Sequence, residues 1–168
     1  TTGIEPDFSL VKFKKLSGGG YFKIINQSVP SALQSLGYKA KEIDAINKYA
    51  VGCGTLVGSP VITHQELRQK GFSDEKISLI EANLATAFDI TFAFARYLLG
   101  DEFLSKTLKL TEAQINDPEL NVLKEIGFSE KDIRLASDYV CGTMTLEGAP
   151  HLKDEHLPVF DCANKCGR

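Results

Sequence analysis

Apolar residues recur at helical spacing in three separate stretches: Ile43, Ile46 and Ala50; Ile77, Ile80 and Leu84; and Ile133, Ala136 and Val140. Intervals of three and four place each set on one face of a helix. A shorter apolar pair, Leu33 and Leu36, precedes the first set, and Pro30 suits the first turn of that helix. Gly37, Gly71 and Gly127 break the pattern in the same way, each followed by an aromatic residue (Tyr38, Phe72, Phe128). A glycine placed there adopts positive φ and ends one helix, so that the aromatic ring packs back on its apolar face. The pattern therefore predicts helix, turn, helix. Two of the three stretches end in Gly-rich loops, "GCGTLVGSP" and "CGTMTLEGAP". Polar residues mark further helix starts: Ser73 with Asp74 and Glu75, Ser129 with Glu130, Thr63 with Glu66 as a capping box, and Asp117-Pro118.

The stretches are copies of one another. Residues 33–60 and 123–150 align in one register, matching Gly37/Gly127, Ile43/Ile133, Tyr49/Tyr139, Gly52/Gly142, Thr55/Thr145, Gly58/Gly148 and Pro60/Pro150. A weaker copy over 67–94 keeps Gly71, Phe72 and Ile77 but has Asn83 in place of the tyrosine, and Leu157 stands where a fourth would begin. Internal repetition of this kind signals one supersecondary unit used several times, each too small to bury its own face. Residues 8–26 differ, with a Gly triplet between partly alternating apolar runs that reads as a hairpin or extended connector. The expected fold is mainly α: repeated small helix-turn-helix units with an irregular or short β-hairpin N-terminal arm. The arm spans 1–28 and the helical repeat module 29–168.

Composition narrows the function classes. The chain has 168 residues, 43% hydrophobic and 24% charged, the profile of a globular protein able to build a core. A net charge of −3 supplies no basic field for nucleic acid or an anionic membrane. The apolar run Leu84–Leu99 contains Asp89 and Arg96 and is shorter than a membrane span of about 20 residues. "TTGIEPDF" carries no signal-peptide pattern, and its start without Met reads as an excised piece. Four cysteines without a secretory signal read as free thiols, hence a cytoplasmic location.

Candidate chemistry is sparse. His151, His156, Cys162 and Cys166 form an H-x4-H-x5-C-x3-C spacing that would suit Zn²⁺ if the loop folded back, against the simpler reading of incidental polar residues. Cys53 and Cys141 fall two positions apart in the repeat register and read as small buried apolar groups. The Gly-rich loops could cradle an anion, but they lack the Lys-Ser/Thr of a P-loop, and a helix stop followed by a turn is favoured. No G-x-S-x-G is present. No self-contained catalytic, cofactor-binding or metal set is expected within the chain.

The strings "TTGIEPDF", "VKFKKLSGGGYFKIINQSVP" and "TLEGAPHLKDEHLPVFDCA" closely resemble stretches of the adenosylcobalamin-dependent class II ribonucleotide reductases. The resemblance covers residues 1–38 and about 123–166, and 61–120 more loosely. It implies a parent enzyme (a ribonucleoside-diphosphate reductase) whose α/β barrel makes deoxyribonucleotides for DNA synthesis by thiyl-radical chemistry. Adenosylcobalamin is its implied cofactor, but is not expected to bind this segment. On this reading the arm is continuous with the barrel near Gly3–Pro6, and the rest is a non-catalytic helical insertion. Its implied partner is the remainder of the reductase chain, with the ribonucleotide bound by the parent only and a homo-oligomer possible. Asn164-Lys165-Cys166-Gly167-Arg168 resembles the family's N-x-C-x-E catalytic loop, but Arg168 stands where Glu is required, so Cys166 is assigned no role.

Two other readings compete. "LKEIGFSEKDIRLASDYV" has the rhythm of ubiquitin-associated-type three-helix domains, which suits a freestanding helical protein-interaction module. Helix-hairpin-helix binding of nucleic acid is disfavoured by the acidic balance.

Overall fold

A computed structural model describes residues 9–15 and 21–161. The Gly triplet at 18–20, the Gly3–Pro6 segment and the stretch from Cys162 to Arg168 lie outside the described residues. The fold is mainly helical, with one two-stranded antiparallel hairpin. The chain divides into two compact units: the first is formed by residues up to Gly52 together with those from Gly142 onward, the second by Cys53–Cys141.

In the first unit, β1 (Val11–Lys15) pairs with β2 (Tyr21–Ile25), with Val11 opposite Ile25 and Lys15 opposite Tyr21. The hairpin predicted for the N-terminal arm is thus present. Asn26 accepts the Ser28 N–H at 3.0 Å where α1 (Ser28–Ser35) begins. Gly37, at φ 88°, ends that helix, and the Tyr38 N–H bonds back to the Leu33 carbonyl at 3.1 Å. In α2 (Ala40–Val51), Glu42 accepts the Lys39 N–H at 2.7 Å, and Gly52, at φ 86°, forms the exit. The core joins Val11, Val29, Leu33, Ile46 and Ala50 to Leu146, Ala149 and Phe160. Each of the larger side chains contributes about 1.5–3 kcal/mol by leaving water.

The second unit holds α3 (His64–Gln69), α4 (Asp74–Leu84), α5 (Arg96–Leu99), α6 (Glu112–Ile115), α7 (Val122–Glu125) and α8 (Glu130–Cys141), with a 3-10 turn at Ile90–Phe94 and a π turn at Phe103–Thr107. Thr63 and Glu66 form the expected capping box, and Ser73 and Ser129 cap α4 and α8. Gly71 and Gly127, at φ 93° and 97°, repeat the helix stop seen at Gly37, with Phe72 bonded to Leu67 and Phe128 to Leu123, both at 3.0 Å. Two lysines tie helix ends together. Lys70 donates to the Ile126 carbonyl and lies over the Phe128 ring, and Lys76 donates to the Leu99 carbonyl and lies over Phe103. The core runs from Leu56 and Ile62 through Ile80, Ile90 and Phe94 to Ile133, Ala136 and Val140.

The helix start predicted at Asp117-Pro118 is a turn instead. Asp117 accepts the Glu119 N–H through its side chain and the Leu120 N–H through its carbonyl, closing a local loop. Asn121 then caps α7 by accepting the Lys124 N–H. An Asx turn and a helix cap use the same side-chain oxygen, and here the turn takes it.

Candidate functional site

The Gly-rich loops were the segments with most apparent chemistry, and the structure shows where their N–H groups go. In the second unit, Cys53 and Gly54 donate to the carbonyls of Tyr139 and Val140, both at 2.9 Å. In the first unit, Thr143 and Met144 donate to those of Tyr49 and Ala50, again both at 2.9 Å. The last carbonyls of a helix have no partner within it, so each loop closes the C-terminal end of a helix from the other sequence copy. These N–H groups are therefore committed to helix ends and do not form an anion cradle. That is the helix-stop reading, with the copies exchanged.

The exchange is repeated by side chains. The Tyr49 hydroxyl donates to the Glu147 carbonyl at 2.9 Å, and the Tyr139 hydroxyl donates to the Val57 carbonyl at 2.8 Å. A Cβ on Gly148 would stand 3.1 Å from the Tyr49 oxygen, and one on Gly58 would stand 2.7 Å from that of Tyr139. Glycine is needed at both places because the phenol fills the space. Gly142 is tighter still, since a Cβ there would lie 2.4 Å from the backbone of Val51 and Gly52. The sequence offered the conserved offsets of these residues, but gave no signal of which loop meets which helix.

Two polar groupings contain histidine. In the second unit, His64 Nε2 lies 2.6 Å from Glu81 Oε1, which also accepts the Leu56 N–H at 2.9 Å. Burial pushes the Glu81 carboxyl up, but hydrogen bonds from His64, Leu56 and Thr55 and the charge of His64 outweigh it, leaving the group below its ordinary range. The Glu81 carboxylate thus gathers the Thr55 side chain, the His64 ring and the Leu56 N–H. This grouping fastens the loop to α3 and α4. Sequence reading passed over it because His64 and Glu81 are 17 residues apart on different helices.

In the first unit, His156 Nδ1 lies 2.7 Å from the Tyr38 hydroxyl, which also accepts the Lys153 N–H at 3.0 Å. Of the four residues considered for zinc, His156 is thus half-buried against Tyr38, while His151 is exposed at φ 66°. Cys162 and Cys166 lie outside the described residues. Among the described residues, no three His, Cys, Asp or Glu side chains converge on a metal-sized space. Cys141 is buried and Cys53 half-buried, and neither is in a disulfide. A shallow groove of about 440 Å³ runs between α1 and α2, lined by Pro30, Gln34, Tyr38, Ile43 and Asn47 among others. No helix among the described residues is long and apolar enough to cross a membrane.

No protein-family model matches the chain. Comparison with curated proteins is more informative. The full 168 residues are 58% identical to part of a protein from Agrobacterium fabrum and 54% identical to part of one from Bradyrhizobium diazoefficiens, both named vitamin B12-dependent ribonucleotide reductase. A protein of the same name from Streptomyces coelicolor is 38% identical over 122 residues, 71% of the chain. The chain spans only 13% of the length of the first two. Over its whole length the chain is homologous to a segment of the vitamin B12-dependent ribonucleotide reductases.

Proposed function

We propose that the chain is a non-catalytic structural module of a cobalamin-dependent ribonucleotide reductase, built from repeated helix-turn-helix units and joined through its N-terminal arm to the catalytic barrel. The parent would reduce ribonucleotides to deoxyribonucleotides in the cytoplasm, and the module would supply architecture to it. The observation that carries this reading is the match of the full chain, at 54–58% identity, to 13% of proteins bearing that name. The role of the polar groups supports it. The Gly-rich N–H groups, both tyrosine hydroxyls and the His64–Glu81 pair all bind other parts of the same unit.

On this reading the module does not itself hold the cobalamin. The groove between α1 and α2 is open, has no histidine in its lining of Pro30, Gln34, Tyr38, Ile43, Asn47 and neighbours, and is smaller than a corrin ring with its side arms. His64 and His156 are each held through one ring nitrogen, by Glu81 and Tyr38, and neither lines that groove. No reaction step is assigned to the cofactor here.

The test is turnover in the full-length parent. Purified enzyme should reduce ribonucleotides only with adenosylcobalamin present. His64→Gln and His156→Gln should change kcat by less than about two-fold, well short of the 10²–10⁴-fold that a general acid or base contributes. A loss on that catalytic scale, in a protein that remains folded, contradicts the reading.

A further inference from the structure

Each unit contains the same helix pair, and one pair has a cover that the other lacks. In the second unit, the 3-10 turn Ile90–Phe94 packs against both α7 and α8, and the Ile90 N–H donates to the Ser137 hydroxyl at 3.2 Å. Ile133, Ser137 and Cys141, spaced four apart on α8, are all buried. Ninety positions earlier, their counterparts on α2 are Ile43, Asn47 and Val51, each only half-buried. Tyr38 is likewise half-buried where Phe128 is buried. The groove between α1 and α2 opens here, with Tyr38, Ile43 and Asn47 in its lining. Asn47 stands where Ser137 does, and its Oδ1 is buried with no hydrogen-bond partner. A buried acceptor left in that state costs about 1–3 kcal/mol, which a docked donor would recover.

We infer that the groove between α1 and α2 is the seat of a short segment of the parent chain downstream of Arg168. That segment lays an aliphatic side chain against Ile43 and Tyr38 and donates a backbone N–H to Asn47 Oδ1. The inference rests on the functional reading above. The second unit identifies the occupant's chemistry: the group that meets Ser137 is a main-chain N–H, and the side chain it brings, Ile90, is fully buried. A cationic side chain is not called for, because Asp44 at the groove is already paired with Lys48 at 2.7 Å. The repeat register identifies its source. The turn Ile90–Phe94 ends the copy over 67–94, which follows the loop "GCGTLVGSP". The copy after the other loop begins at Leu157, so the counterpart of Ile90 falls beyond Arg168. The matched relatives have chain to supply it, since the 168 residues are 13% of their length. Being tethered, such a segment binds at high effective concentration and needs little area. A second copy of these residues is a poorer occupant, because its own Ile90 N–H is committed to Ser137.

The experiment uses the full-length parent with p-benzoylphenylalanine in place of Gln34, an exposed residue of the groove. The same probe in place of Lys41, exposed on α2 outside the groove, is the control. Irradiation should give an intramolecular adduct from position 34 in yield on the order of ten-fold above position 41. Mass spectrometry should map it to an aliphatic residue downstream of Arg168. Adding Asn47→Leu, which removes the acceptor at nearly constant volume, should lower the adduct about five-fold while the helical signal is retained. Equal yields at positions 34 and 41 overturn the inference, as does an adduct to a second copy of the chain or to a segment upstream of Thr1. Ribonucleotide turnover is measured on the same preparations. The downstream adduct in a parent without turnover supports the docking site and removes the functional reading alone, whereas turnover without the adduct does the reverse.

Discussion

The Tyr49 hydroxyl donates a 2.9 Å hydrogen bond to the carbonyl of Glu147, 98 residues further along the chain. The bond fixes a loop from one sequence copy onto a helix from another. Tyr49→Phe removes the donor and leaves a carbonyl that water can reach, so the expected cost is about 0.5–1.5 kcal/mol. Tyr139→Phe removes the matching bond to Val57 and should cost a similar amount. Urea unfolding of the two variants and the double variant measures both effects.

Gly142 is the least replaceable residue of the exchange. An alanine Cβ would stand within 2.5 Å of the Ala50 carbonyl oxygen and closer to Val51 and Gly52, all backbone, at φ 79°. Overpacking and left-handed strain combine, for an expected loss of about 3 kcal/mol or more. Thermal unfolding of Gly142→Ala against Gly37→Ala separates the two effects, because a Cβ at Gly37 meets nothing within 4 Å.

Met144 stands at φ 61°, where its counterpart ninety positions earlier is Gly54 at φ 68°. A left-handed conformation costs an ordinary residue about 1–2 kcal/mol, and glycine gives back part of that in chain entropy. Met144→Gly should therefore raise stability by up to about 1 kcal/mol. A fall in denaturation midpoint for this variant would mean that the half-buried thioether contributes more by packing than the backbone loses by strain.

Some of this was legible in the sequence and some was not, for a physical reason. Helix stops at Gly37, Gly71 and Gly127 follow from local steric rules, and the capping box at Thr63 and Glu66 from local hydrogen bonding. Each involves residues within five positions of one another, and each is present. Asp117-Pro118 misled because a turn and a cap draw on the same local chemistry. The exchange was illegible because both Gly-rich loops keep Gly, Thr, Leu, Gly and Pro at the same offsets (52/142, 55/145, 56/146, 58/148 and 60/150), so either could close either helix. Which one does is decided by long-range packing, as is the approach of His64 to Glu81.

That pair makes the acid limb of stability distinctive. The Glu81 carboxyl is held below its ordinary range, so it binds protons less readily folded than unfolded. Its contribution is present above the unfolded value of about 4.3 and is lost as pH falls through the lower folded value. Glu81→Gln should therefore flatten the loss of stability below about pH 4.3, with its deficit against the unsubstituted chain largest and constant at neutral pH and shrinking in acid. Chemical denaturation at a series of acidic pH values reads the slope directly.

Ser137 tests the packing of α8. It is 1% exposed, and its hydroxyl accepts the Ile90 N–H at 3.2 Å. Ser137→Ala leaves that N–H buried without this partner, for an expected cost of about 1–3 kcal/mol. Hydrogen exchange at Ile90 should accelerate in step.

The central claim is that these residues build architecture within a cobalamin-dependent reductase and leave the chemistry to the rest of it. Spectroscopic titration of the 168-residue chain with adenosylcobalamin tests this most directly, with circular dichroism to verify that the chain is folded. The expected result is a cobalamin spectrum unchanged by saturating protein. A saturable shift in the corrin absorption, abolished by substitution of His64 or His156, would contradict the claim.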